Sequence, residues 1–246
     1  MLIALFADIH GNREALEACL DDAMAAGADQ LVFLGDLVGY GPDPDWVVDR
    51  VAALAEGGAL VVKGNHDEAV ADPSMSLNPV ARAAIQWTRQ RLTAGQKAFL
   101  AALPYDFNED DRLYVHANAN APERWIYTLG PTEALQSFNA TAQRITFCGH
   151  THRPALFNES PAALPKPHIP VSGKAMPLLA QRRWLAVLGA VGQPRDHDPS
   201  ACYGLFDTAS SRLTYVRVPY DAELTMGKIV AAGLPPSLAQ RLMTGT

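Results

Sequence analysis

Three short apolar runs, at residues 2–7, 30–34 and 59–62, each break off at an ion-binding type of residue, with helix-like sequence between them. The first run stops at Asp8, the second at Gly35-Asp36, and the third at Gly64-Asn65-His66-Asp67. Short continuous apolar runs read as strands buried on both faces. The first intervening segment, 13–26, carries an apolar stripe of Ala15, Leu16, Cys19, Leu20 and Ala23. Asn12 is suited to cap that helix and Gly27 to close it. A second helix, about 43–55, follows the loop Gly39-Tyr40-Gly41-Pro42. Strand and helix in alternation lead to right-handed βαβ units and a largely parallel sheet, so the expected class is α/β.

Further along, the pattern predicts helices over 78–92 and 94–103, with Pro104 ending the second, and over 131–141, with Pro131 in its first turn. Strands are expected at 112–115, ending at His116, and at 145–148, ending at Gly149-His150. The texture then changes. Residues 154–177 are rich in proline, have few helix signals, and read as an excursion from one domain, because strands resume after them. Segments 184–188, 202–207 and 212–218 are expected to be strands of a second sheet joined by hairpins, and 221–232 and 236–242 closing helices. A single domain over 1–246 fits this length. With 48% hydrophobic residues the chain can bury a good core, and 19% charged residues argue against long disordered tails.

Function is carried by where the polar residues fall. Asp8 and His10, Asp36, Asn65 and His66, His116, and His150 and His152 all lie just past a predicted strand end. Open α/β sheets place ligands outside the carboxyl ends of their strands. Each residue alone has an ordinary structural explanation, as a turn residue, a buried histidine or a helix start. Together they are five segments delivering Asp, Asn and His to one edge, and they include five of the seven histidines. His150 and His152 also alternate along an extended segment, which puts both rings on one side.

The net charge of -6 gives no overall attraction to nucleic acid or anionic lipid, so no stable nucleic-acid complex is expected. An acidic chain can still bind phosphate if its site carries its own cations. The three cysteines, Cys19, Cys148 and Cys202, form no CxxC pair and are odd in number, which favours a reducing compartment. The opening apolar run has no basic flank, so it is not expected to be a signal peptide, and no run is long enough to span a bilayer. A soluble cytoplasmic chain is the resulting expectation.

Asp8-Ile9-His10, Gly35-Asp36, Gly64-Asn65-His66-Asp67, His116 and Gly149-His150-Thr151-His152 together resemble the signature of the calcineurin-like metallophosphoesterase superfamily, all blocks in order over residues 8–152. The likeness is to the small bacterial phosphodiesterase or phosphatase type, and a weaker similarity continues through Gly192-Gln193-Pro194-Arg195-Asp196. The resemblance implies two mixed β-sheets packed as a sandwich with flanking helices, in four layers αββα. It implies two divalent or trivalent transition-metal ions, drawn from Mn, Fe, Zn or Ni. Asp8, His10 and His152 would hold one, Asn65, His116 and His150 the other, and Asp36 would bridge them. Such a bridge sets two cations about 3.5–4 Å apart. The implied reaction is phosphate-ester hydrolysis by in-line attack of a hydroxide between the metals, most simply as a phosphodiesterase or broad phosphatase.

Within that resemblance, His66 would act as a general acid or electrostatic clamp on the leaving oxygen. Asp67 would orient it, or else serve only as a helix N-terminal carboxylate. Asn65 and Arg195 are expected to reach the substrate phosphate, with Gln193 beside them; Trp125 and Tyr127 are candidates for stacking on a base. The expected partner is a small phosphorylated molecule, a nucleotide among the candidates. Protein phosphatases of the superfamily carry an arginine soon after the second block, where this chain has Leu37-Val38-Gly39-Tyr40-Gly41-Pro42. Ala117-Asn118-Ala119-Asn120 stands where small members more often have Gly-Ser, and Ala190 where serine is common. The alternatives are a dinucleoside polyphosphate hydrolase, a protein phosphatase, or a non-catalytic scaffold such as a retromer subunit of this superfamily. A retired enzyme would be expected to have lost ligands, and none of the positions is missing here.

Overall fold

A computed structural model describes residues 1–160 and 163–246. The chain begins β1 (Leu2–Phe6), α1 (Arg13–Ala25), β2 (Gln30–Phe33), α2 (Pro44–Glu56) and β3 (Leu60–Val61). Three helices follow, α3 (Asn65–Ala71), α4 (Pro79–Arg91) and α5 (Ala94–Ala102), then a hairpin of β4 (Asp106–Glu109) and β5 (Arg112–Val115). Next come α6 (Pro131–Ala140), β6 (Ile145–Cys148), β7 (Ala155–Asn158), β8 (Lys166–His168), β9 (Met176–Pro177) and β10 (Trp184–Val187). The chain closes with β11 (Ala201–Asp207), β12 (Arg212–Val218), α7 (Ala222–Ala231) and α8 (Pro236–Thr244).

The strands form two mixed six-stranded sheets, in the orders β3-β2-β1-β11-β12-β9 and β4-β5-β6-β10-β7-β8. Within the first, β1, β2 and β3 are parallel; within the second, β5, β6 and β10 are parallel. Alternation along β1 decides how the layers stack. Ile3 and Leu5 face the second sheet, packing in one cluster with Tyr114, Phe147, Leu156 and Trp184. Ala4 and Phe6 face the other way, onto apolar residues of α1, α2 and α3. On the far side of the second sheet, Ala134 and Phe138 of α6 cover Val115, Cys148 and Val187. The order is therefore helix, sheet, sheet, helix, as the resemblance implies. Each fully buried side chain of this size contributes about 1.5–3 kcal/mol, so the inter-sheet layer is the main source of cohesion between the sheets.

One expectation needs correction. The segments 202–207 and 212–218 do not join 184–188 in a second sheet. They pair as β11 and β12 and dock against β1 of the first sheet, in the register Ile3↔Phe206 and Leu5↔Gly204. The edge of β1 not taken by β2 would otherwise be left with unpaired backbone groups. Period-2 patterning shows which face of β11 is buried but not which strand it pairs with, and that pairing joins the two ends of the chain. The proline-rich excursion holds strands of its own. Among its described residues, β7 and β8 extend the second sheet beyond β10, and β9 pairs with β12 at the edge of the first. Its strand prolines, Pro167 and Pro177, lie in edge strands, where a missing N–H breaks no ladder.

Candidate metal centre

The site is built where parallel strands of both sheets end. Asp8 and His10 follow β1, Asp36 follows β2, and Asn65 begins α3 just beyond β3. His116 follows β5, and His150 and His152 follow β6. Backbone hydrogen bonds lace the loops together: Asp8 N–H donates to Gly35 O, His10 N–H to Asp36 O, and Gly149 N–H to His116 O. Asp8, His10, Asp36, His150 and His152 all adopt left-handed backbone, with φ between 51° and 69°. Left-handed conformations cost energy in non-glycine residues and persist where surrounding contacts over-determine them, often at functional sites.

The ring nitrogens reveal what these residues are arranged to hold. His10 Nδ1 lies 3.1 Å from Val38 O, His116 Nδ1 2.7 Å from Leu34 O, and His152 Nδ1 2.6 Å from Gln193 O. A carbonyl only accepts, so each of these nitrogens donates its hydrogen, and each Nε2 of a neutral ring turns a lone pair inward. His150 is reversed: its Nε2 donates to Trp125 O at 3.0 Å, leaving Nδ1 inward. The inward atoms crowd one another, with His10 Nε2 3.1 Å from His152 Nε2 and His116 Nε2 3.1 Å from His150 Nδ1. Lone pairs at that distance repel unless a positive charge lies between them. Burial pushes His10 and His152 well below the usual imidazole range, despite a nearby carboxylate, so a proton is poorly suited to that place. Metal-bound histidines carry this kind of fixed outer hydrogen bond.

Carboxylates complete two clusters, Asp8-His10-Asp36-His152 and Asp36-His116-His150, each with ligand atoms within 4.8 Å of one another. Asp36 belongs to both: its Oδ2 is 3.6 Å from His10 Nε2 and 3.4 Å from His116 Nε2. Asp8 Oδ1 is 3.4 Å from His152 Nε2, and Asn65 Oδ1 is 3.3 Å from His116 Nε2. All the predicted ligand positions thus converge, and the donor set fits transition-metal ions that accept imidazole and oxygen ligands. Gly64 allows the approach of two strand ends, since a Cβ there would lie 2.2 Å from Asp36 N and Oδ1.

Comparison with known proteins agrees with this arrangement. Residues 1–211 match the family model for the calcineurin-like phosphoesterase superfamily domain. The chain belongs to the calcineurin-like phosphoesterase superfamily. It is similar to the crystal structure of a metallophosphoesterase from Sphaerobacter thermophilus, at 39% identity and a TM-score of 0.90, covering 100% of this chain and 99% of that one. It is 35% identical to an uncharacterized protein of Methanocaldococcus jannaschii, over 99% of this chain and 98% of the relative. A hypothetical protein from Pyrococcus horikoshii shares the fold at 18% identity, with a TM-score of 0.79 over 100% of this chain and 98% of that one.

Around this candidate centre, the remaining predicted residues separate. His66 is buried and lines a cleft beside Asn65 and His150, and among the described residues its Nδ1 has no hydrogen-bond partner. Burial holds its pKa below the usual value even though Asp36 pulls the other way. Asp67 does not orient His66. Its Oδ1 accepts from Leu37 and Val38 N–H and its Oδ2 from Gly64 N–H, so it ties α3 to the Asp36 loop. That carboxylate is occupied by backbone donors, and its effect on the site is one of position. Arg195 lies beside the centre: its backbone N–H donates to His152 O, its Nη2 to Gln193 Oε1, and its guanidinium lies 5.8 Å from the Tyr40 ring.

Tyr40 went unrecognised in the sequence. At φ 64° and almost fully buried, its ring stands 4.6 Å from that of His10 and 4.5 Å from that of His66. Gly39 before it leaves room for His66, since a Cβ there would lie 2.3 Å from Nδ1. The only signal was the pair of glycines flanking a large ring.

Proton competition gives this centre a pH signature. Burial raises the Asp8 carboxyl to about 7, although His116 opposes it. Burial lowers His116, but Asp36 outweighs it and raises the imidazole to about 9. Burial depresses His150 to about 3, so it is already neutral at pH 6. A cation must displace protons from Asp8 and His116 below those values, and affinity therefore rises with pH. Equilibrium dialysis against Mn²⁺ should show affinity at the His116 side growing roughly tenfold per pH unit between pH 6 and 8. Flat occupancy over that range would contradict the assignment of His116.

Proposed function

We propose that the chain is a hydrolase of phosphate esters, most simply a phosphodiesterase or broad phosphatase, working with two transition-metal ions drawn from Mn, Fe, Zn or Ni. Asp8, His10 and His152 would hold one ion, Asn65, His116 and His150 the other, with Asp36 between them. The convergence of inward-facing imidazole nitrogens on the shared carboxylate of Asp36 is the observation that carries this reading. When bound, such cations supply a nucleophile at neutral pH and positive charge for the phosphoryl oxygens.

The chain's own groups supply the rest. Asn65 and Arg195 would contact the phosphate, and the buried setting strengthens those contacts. His66, kept neutral by burial, would donate an N–H to the leaving oxygen, acting as a clamp on its growing charge rather than as an imidazolium acid. Asp67 and Tyr40 would hold the α3 start and the His66 ring in place. The partner would be a small soluble phosphate ester. Among the described residues no helix is long and apolar enough to cross a membrane.

The test is a hydrolysis screen of chelator-stripped chain restored with Mn²⁺. Bis-p-nitrophenyl phosphate, p-nitrophenyl phosphate, cyclic nucleotides, diadenosine tetraphosphate and a phosphopeptide would be compared. Metal-dependent turnover of the diester or monoester is expected; two bound metals with no turnover of any substrate would favour the scaffold.

A further inference from the structure

The candidate metal centre opens into a cleft of about 270 Å³, and its walls differ in a way that bears on the substrate's organic group. One wall comes from the loop before α4, with Met75 and Leu77. The facing wall comes from the segment after β5, with Arg124, Trp125 and Tyr127. This second wall is anchored to the metal ligands. Trp125 O accepts from His150 Nε2, and the Trp125 ring stands edge-on to His116 at 5.8 Å. Tyr127 stacks on His150 with ring centroids 3.9 Å apart and planes 15° apart. One face of Tyr127 is thus covered by a ligand ring, while the residue as a whole remains 46% exposed at the cleft.

Large exposed aromatics are costly to leave in water unless something covers them. Here the aromatic ring is fixed by its stack on His150, so a second ring could join without ordering a mobile side chain. Arg124 adds a guanidinium plane, a good stacking surface. Met75 opposite is a deformable thioether that packs well against aromatic edges. The volume lies below the roughly 300 Å³ at which pockets for drug-sized ligands begin. It suits a single ring system next to the phosphate more than a length of peptide.

Resting on the phosphoesterase reading, we propose that the cleft between Tyr127 and Met75 is a subsite for a flat ring, and that the substrate is a nucleoside phosphate ester. The phosphate would sit at the metal centre while the base stacks on the free face of Tyr127, continuing the stack begun by His150. Recognition by stacking tolerates any base, because each has a π-face. Selectivity would therefore lie between substrates with and without a ring, more than among bases.

The experiment compares two ligands on the Mn²⁺-loaded full chain by titration calorimetry: the non-hydrolysable phosphonate analogues of adenosine 5′-monophosphate and of ribose 5-phosphate. They share the phosphorus group and the sugar and differ in the base. The adenosine analogue is expected to bind about tenfold tighter. Tyr127→Ala should bring that ratio close to one, and Tyr127→Phe should keep it, because the phenyl ring preserves the stacking surface. Metal content, measured alongside, shows whether His150 has been disturbed. Equal affinity for the two ligands in the unmodified chain, with metal-dependent hydrolysis intact, would overturn the ring subsite alone. A ratio unchanged by Tyr127→Ala would do the same. Failure of both ligands to bind, together with no hydrolysis of any phosphate ester, would overturn the phosphoesterase reading and the subsite with it.

Discussion

Asp36→Asn should lower kcat/KM by about a thousandfold or more and remove at least one of the two proposed cations. The substitution keeps the size of the side chain, so the effect comes from the atom placed at the shared position. Asp36 Oδ1 accepts the backbone N–H of His66 at 2.8 Å, and that demand fixes which way an asparagine would turn. Its oxygen would take the Oδ1 place, leaving NH₂ where Oδ2 now faces both His10 and His116. An amide NH₂ cannot ligate a cation, and it would put hydrogens toward the centre. Both clusters lose their common donor at once. Elemental analysis with steady-state kinetics checks this; a variant with two cations at full occupancy and normal turnover would remove Asp36 from the bridge.

The second large effect is expected at His66, and it should depend on the leaving group. His66→Ala is expected to cost about 10²–10⁴-fold with an alkoxide leaving group and much less with nitrophenolate. Nitrophenolate departs with its charge already delocalised, whereas an alkoxide needs a hydrogen bond as the charge builds. His66 meets the geometric requirement: it lies in the cleft next to Asn65, and its placement is enforced by Gly39 and Tyr40. A pH profile separates its two roles. Because burial lowers the His66 pKa, an obligatory imidazolium would lose activity as pH rises through that lowered value. A neutral donor retains activity there. Equal losses for the two leaving groups would exclude a role for His66 at the leaving oxygen.

Much of the centre could be read from the chain because its ligands are side chains at strand ends. A run such as Leu2–Phe6 announces a buried strand, and whatever follows it must emerge at the sheet edge. Asp8, His10, Asp36, Asn65, His116, His150 and His152 stood out as candidates for that reason. The groups that aim the ligands were not. The carbonyls of Leu34, Val38, Trp125 and Gln193 fix the tautomers of His116, His10, His150 and His152, yet every residue has a carbonyl and sequence does not mark these. Asp67 shows the converse. Its side chain was conspicuous beside His66, but three backbone N–H groups claim it.

The same limit explains the sheets. The parallel strands β1, β2 and β3 are joined by local crossovers, which the alternation of patterns exposes. Docking of β11 on β1 is a contact between residues near opposite ends of the chain, decided by an open edge and by faces that fit, such as Phe206 in the inter-sheet layer. Prolines in the 154–177 stretch removed the helix signals, and two of them, Pro167 and Pro177, fall in the edge strands β8 and β9.

The account stands most directly on a single titration of the chelator-stripped chain with Mn²⁺, reading bound metal and hydrolysis of bis-p-nitrophenyl phosphate in the same samples. Two clusters sharing Asp36 predict that hydrolysis appears with metal and levels off when the second cation per chain is filled. Hydrolysis that is complete without added metal, or that never appears once both cations are bound, would contradict it.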